Sequence, residues 1–225
     1  MRAIWLLLKK DFAIELRSKE TLVLFAGLSI LLCLVASFGV GTAALNAETT
    51  TRIFPALWWM IFLFSATISL GRGFEYELEN AAMEGVLLSG ASPTAIYISK
   101  VLGSFVLTFA LQVLTLILLA GLLDVAVWGN FSTLVVISAL IGFGYCALAT
   151  ILVALAGTSR LRSFLLPLIL LPLLFPLLFC ALELTSVVLI DGGAPWSSVW
   201  FTLGIVLVTV YSALGINLYS FVVRE

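Results

Sequence analysis

Histidine is missing from this 225-residue chain, and charge is scarce: Asp, Glu, Lys and Arg together make up 10% of it. Without histidine there are no imidazole-based metal triads and no Ser-His or Cys-His nucleophile pairs. No segment matches the GxxxxGK[ST] phosphate-binding loop, so the polypeptide does not bind ATP in the usual way. Beyond the first twenty residues the only aspartates are Asp124 and Asp191, both in outer-loop positions, which excludes a paired intramembrane aspartyl site. The three cysteines, Cys33, Cys146 and Cys180, stand singly inside apolar runs with no CxxC spacing. A thiol so placed packs as a small apolar group. No catalytic or metal-ligating constellation is expected, and no nucleic-acid partner.

What the chain has instead is apolar bulk. It is 63% hydrophobic with a mean hydropathy of +1.24, where soluble domains run at about 45–50% apolar and about 25% charged. Runs of about 20 apolar residues mark membrane-spanning helices. They fall at about 21–44, 53–71, 95–123, 131–157, 163–190 and 196–222, which predicts an all-α integral membrane protein with a single transmembrane domain over 1–225. With a cytoplasmic N-terminus, Arg2, Lys9, Lys10, Arg17, Lys19, Arg72, Lys100, Arg160, Arg162 and Arg224 all lie inside and only Arg52 lies outside. That asymmetry sets the orientation, with both termini cytoplasmic.

Charge gathers in one place, the cytoplasmic elbow at 72–94 and its exit through Lys100: RGFEYELENAAMEGVLLSGASPTAIYISK. Phe74, Leu78, Ala81, Ala82, Gly85 and Val86 form one helical stripe, with Glu77, Asn80 and Glu84 along a polar edge, which predicts a short amphipathic helix. Gly90 and Pro93 interrupt it, and Ser92-Pro93 reads as the N-cap and first residue of the next helix. Glu75 and Glu79 stand one turn apart with Glu77 between, a like-charge cluster that costs an isolated helix roughly 0.2–0.5 kcal/mol per pair. Two readings stand: a docking surface for a basic partner, or carboxylates that favour the positive end of a helix dipole and keep the loop hydrated.

Residues 1–20 place Ile4, Trp5, Leu8, Phe12 and Leu16 on one face and Arg2, Lys9, Lys10 and Arg17 opposite, as in a helix lying on an anionic leaflet. Glu15 falls on the apolar face, where it either reaches the headgroups or forms an ion pair. Asn46 to Arg52 reads as a short polar outer loop. A helix from Pro93 to Leu123 is about 46 Å long, more than the roughly 30 Å hydrocarbon core, so its start at Tyr97 and Lys100 should project into the cytoplasm. Gly142 and Gly144 predict close helix packing. The fifth span carries Pro167, Pro172 and Pro176, each lacking a backbone donor, which predicts a kinked or broken helix with a re-entrant or interfacial stretch at 177–195. Glu183, near its outer end, lines an exit path or meets the outer headgroups. Lys100, Pro172, Pro176, Glu183 and Glu15 are the candidate structural or gating residues.

The stretches KKDFAIELRSKETL, GFEYELENAAMEGVLLSGASPTAIYISKVL and LLPLILLPLLFP, in that order, resemble the heme exporter protein B (CcmB) family, the permease of the cytochrome c maturation system. The similarity runs over almost the whole chain. Acidic elbow, short turn and Lys-started helix recur in ABC-2-type permeases generally. The chain departs from the family pattern at Ala82-Met83, where a more leucine-like residue is expected, and at Gly90-Ala91, which replaces a proline-containing turn. Neither alters the charge pattern.

The resemblance implies an ABC-2-type (type V exporter-like) permease with six helices, an N-terminal interfacial elbow helix and a cytoplasmic coupling helix between spans two and three. It implies a bacterial inner-membrane complex of two copies of this subunit with two of a separate CcmA-like ATPase. Arg72, Phe74, Glu75, Glu79, Glu84 and Gly85 form the coupling surface. Further partners are CcmC-like and CcmD-like membrane proteins and a CcmE-like haem chaperone. The function implied is haem export, or ATP-driven release of haem-loaded chaperone on the periplasmic side, with no enzyme activity in this subunit. Haem enters as a transported or handled ligand; the absence of histidine leans against a stable His-ligated haem in this subunit and leaves Tyr, Met or transient contacts open. An ABC-2 exporter of another lipid-like or drug-like substrate is the alternative within the class. A non-transporting membrane scaffold, which needs neither ATPase nor acidic elbow, is the alternative outside it.

Overall fold

The computed structural model describes residues 5, 8–9, 19–43, 45–79, 92–156 and 162–222. Six long helices account for most of them: α1 (Glu20–Thr42), α2 (Ala47–Glu79), α3 (Pro93–Leu123), α4 (Phe131–Ala156), α5 (Arg162–Leu189) and α6 (Val199–Val222). No strand occurs among the described residues. Each helix contains a stretch long and apolar enough to cross a membrane. Helices are the natural outcome for such a chain, because lipid offers backbone groups no partners and a helix satisfies them within the segment.

Local chemistry sets the helix ends. Ser92, in extended backbone, accepts the Ala95 N–H on its hydroxyl oxygen at 3.3 Å, and Pro93 follows at the position where a missing N–H costs nothing. At the far end of α3, Asp124 takes a left-handed conformation (φ 52°) and returns its N–H to the Ala120 carbonyl. Asn46 caps α2, its side-chain oxygen accepting the Thr49 N–H at 2.8 Å. Residues 47–52 are therefore the first turns of α2 and not an outer loop. Within them Arg52 bridges to Glu48 at 2.9 Å on an exposed face.

At its other end α2 continues through 72–79, so the first part of the elbow prolongs the spanning helix and does not open a separate short helix at Phe74. No proline interrupts 70–79, and Gly71 and Gly73 weaken a helix without ending it. Residues 80–91 lie outside the described residues.

The fifth span departs further from expectation. α5 is helical from Arg162 to Leu189 through all three prolines, so 177–189 is not re-entrant. Only 190–198 leaves the helix, in a turn and a single 3-10 turn at Pro195–Ser197. One bond reaches α5 from α6: the Tyr211 hydroxyl donates to the Leu173 carbonyl at 2.7 Å, next to the Pro172 carbonyl that Pro176 leaves without its helical donor.

α4 is the hub, packed against α3, α5 and α6, while α2 lies against α1 and α5, and α3 against α1, α4 and α6. Burial follows: 72% of the α4 span is buried, against 17% of the α1 and α6 spans. Small residues make this possible. A Cβ on Gly144 would come within 2.7 Å of Val208 and 3.1 Å of Leu177, so α5 and α6 both press on α4 at a point that has no side chain. On the other flank Phe25, Trp58, Trp59, Phe62 and Tyr145 build an aromatic core, with Trp58 and Trp59 ring centroids 4.8 Å apart. Two hydrogen bonds cross it, Trp59 Nε1 to Thr185 Oγ1 at 2.9 Å and Tyr145 to Thr67 at 3.3 Å. The three cysteines are buried free thiols.

Candidate functional site

Alternation of six spanning helices puts the end of α2, the start of α3, the end of α4, the start of α5 and the end of α6 at one face. Contacts around Tyr97 hold three of these together. Tyr97 is 2% exposed; its hydroxyl donates to the Ala147 carbonyl of α4 at 3.0 Å, and its ring lies 5.5 Å from that of Tyr219 on α6. Gly215 sits against the same phenol, leaving no room for a Cβ. The Tyr97 side chain is thus packed inside the bundle, because α4 offers a carbonyl and α6 a glycine. Lys100, one turn further on, is half-buried.

The elbow residues divide in two. Arg72, Phe74, Glu75 and Glu79 belong to the last turns of α2, five residues after Thr67 has bonded to Tyr145 in the core, so their backbone is rooted in the packed bundle. Glu84 and Gly85 lie outside the described residues, as does Glu15. Of residues 1–18, assigned above to an interfacial helix, the structure describes Trp5, Leu8 and Lys9, all helical, with Trp5 exposed.

Pro172 and Pro176 are both exposed, one turn apart on the outer side of α5, among Leu171, Leu173, Phe175 and Phe179. Glu183 is half-buried on the same helix, six residues before its end, and takes part in no ion pair among the described residues. It stands roughly 10 Å along the axis from Pro176, so prolines and carboxylate do not form one site. They lie away from the elbow, which roots at the opposite end of the bundle from Glu183. No cluster of three or more His, Cys, Asp or Glu able to hold a metal occurs among the described residues.

Gly215 and the Tyr97 hydrogen bond are not visible in the order of residues. The only signal is the presence of two tyrosines and a glycine near helix ends, which is common in any membrane chain. At this end of the bundle the structure therefore places the acidic extension of α2 through Glu79 and the capped restart of α3 at Ser92.

The profile of the CcmB protein family matches residues 2–218. The chain belongs to the CcmB family. It is a multi-pass membrane protein and the permease subunit of the heme exporter ABC transporter of cytochrome c maturation. No curated protein sequence matched the chain.

Proposed function

We propose that this CcmB-family chain works as a paired permease in the bacterial inner membrane, both termini cytoplasmic, driven by a separate CcmA-like ATPase that docks on the elbow at Arg72, Phe74, Glu75, Glu79, Glu84 and Gly85. The observation that carries this reading is the extension of α2 to Glu79: a 33-residue helix, about 50 Å long, exceeds the roughly 30 Å core and so brings an acidic helix end to the side rich in Lys and Arg. An acidic lever suits a basic surface on the ATPase, and attraction across it is strongest at low salt. The chain has no phosphate-binding loop, in keeping with ATP hydrolysis on another subunit. CcmC-like, CcmD-like and CcmE-like proteins complete the assembly, and haem is handled as cargo or on the chaperone.

Charge reversal at Glu75 and Glu79 to Lys tests the docking surface. Copurification of the ATPase is expected to be lost while membrane insertion of the permease is unchanged. ATPase recovered at the wild-type yield would remove these carboxylates from the interface.

A further inference from the structure

The α3–α4 contact carries a polar seam near the middle of the two helices. Thr108, Gln112 and Thr115 share one face of α3 and are 3%, 0% and 2% exposed. Opposite them on α4 stand Gly142 and Cys146: the Thr108 hydroxyl and Cys146 thiol are 3.2 Å apart, and the Gln112 Oε1 lies 3.4 Å from where a Gly142 Cβ would sit. Ser138, one turn from Gly142, is also buried.

The hydroxyls in this seam are accounted for within their own helices, Thr108 donating to the Ser104 carbonyl, Thr115 to Leu111 and Ser138 to Leu134, each at 2.8 Å. The Gln112 carboxamide is not. Among the described residues neither its Nε2 nor its Oε1 has a hydrogen-bond partner, although the residue is fully buried. A carboxamide has two N–H donors and an acceptor oxygen, and burying it unpaired is costly anywhere and more so in lipid. Amides that merely hold membrane helices together find a carbonyl or hydroxyl on the neighbouring helix. Gln112 faces a glycine instead. A buried polar group without a partner on the neighbouring helix breaks the usual rule of polar satisfaction, and such breaks are expected at functional sites.

We propose that α3 and α4 part at Gln112 during turnover, and that the seam is a gated polar site where the Gln112 carboxamide takes hydrogen bonds from water. The closed packing described above is one of its two states. Apolar α3–α4 contacts hold it shut, and the unpaired amide lowers the cost of opening. This reaches beyond the proposed ATPase docking, and only the ATP-driven half of its test rests on that reading.

Cys146 is a native reporter of the seam, and Cys33 on α1 and Cys180 on α5, equally buried, are internal controls. The purified permease–ATPase complex in proteoliposomes is treated with N-ethylmaleimide, and modification is read at each cysteine by peptide mass spectrometry. A rise in the open population from about 1% to about 10% during ATP hydrolysis raises Cys146 labelling about tenfold and leaves Cys33 and Cys180 unchanged. Unchanged Cys146 labelling in a complex that hydrolyses ATP overturns the proposal, whereas loss of the ATPase from the preparation counts against the docking reading alone.

A second arm needs no ATPase. Gln112→Met, of similar volume, removes the unpaired amide, so the permease alone should melt roughly 2–4 °C higher and label more slowly at Cys146. A Tm that is lowered or unchanged assigns the amide a structural role and overturns the gate.

Discussion

Replacing Gly215 by alanine probes the Tyr97 junction with a single methyl group. The new Cβ would overlap the Tyr97 ring and hydroxyl, the closest approach recorded at any glycine among the described residues. Tyr97 cannot retreat freely, because its hydroxyl is held by the Ala147 carbonyl and its ring by Tyr219. Overpacking of this kind costs about 1–3 kcal/mol. Displacing the phenol adds the loss of an interhelical hydrogen bond, about 0.6 kcal/mol on average in membrane bundles. Alanine returns about 0.8–1.0 kcal/mol through better helix propensity. The balance is a net destabilisation of about 0.6–2.8 kcal/mol, or a fall in Tm of roughly 1–11 °C for a chain of this size. Thermal unfolding of the detergent-purified permease measures it. The decisive control is the same change in a Tyr97→Leu background, where the colliding ring atoms are gone and Gly215→Ala should become neutral or stabilising. An equal loss of Tm in both backgrounds would refute the clash as the cause, since contacting residues must be non-additive if the argument is right.

Two further outcomes follow from α5. Restoring backbone donors with Pro172→Ala and Pro176→Ala should leave stability within about 1 kcal/mol of wild type or raise it, while cytochrome c assembly in cells falls; unchanged assembly would make the prolines tolerated features with no moving role. Glu183→Gln should keep the ATPase bound and hydrolysing ATP but slow release of product on the outer face, measured as chaperone or haem released per ATP. A variant matching wild type in every assay would return Glu183 to the hydrated rim.

Reading the sequence alone was enough for the membrane class, the number of spanning helices and the start of α3, because each rests on chemistry confined to a short stretch. Twenty apolar residues suffice to cross lipid wherever the rest of the chain lies, and Ser92-Pro93 caps a helix by bonding three residues away. The acidic stretch is plain in composition, but its first turns proved to be the prolongation of α2, since helix continuity depends on the absence of a break and not on the amphipathic pattern. Which face of each helix is inward was not legible. Lipid is as apolar as the bundle interior, so the hydrophobic periodicity that marks a soluble core is weak here. The burial of Tyr97 was not legible because it depends on Ala147 and Gly215, 50 and 118 positions away. The unpaired amide of Gln112 and the bond from Trp59 to Thr185 were likewise decided only when α3 met α4 and α2 met α5. Composition put the chain in the membrane; small residues and a few long-range polar contacts selected how its helices pack there.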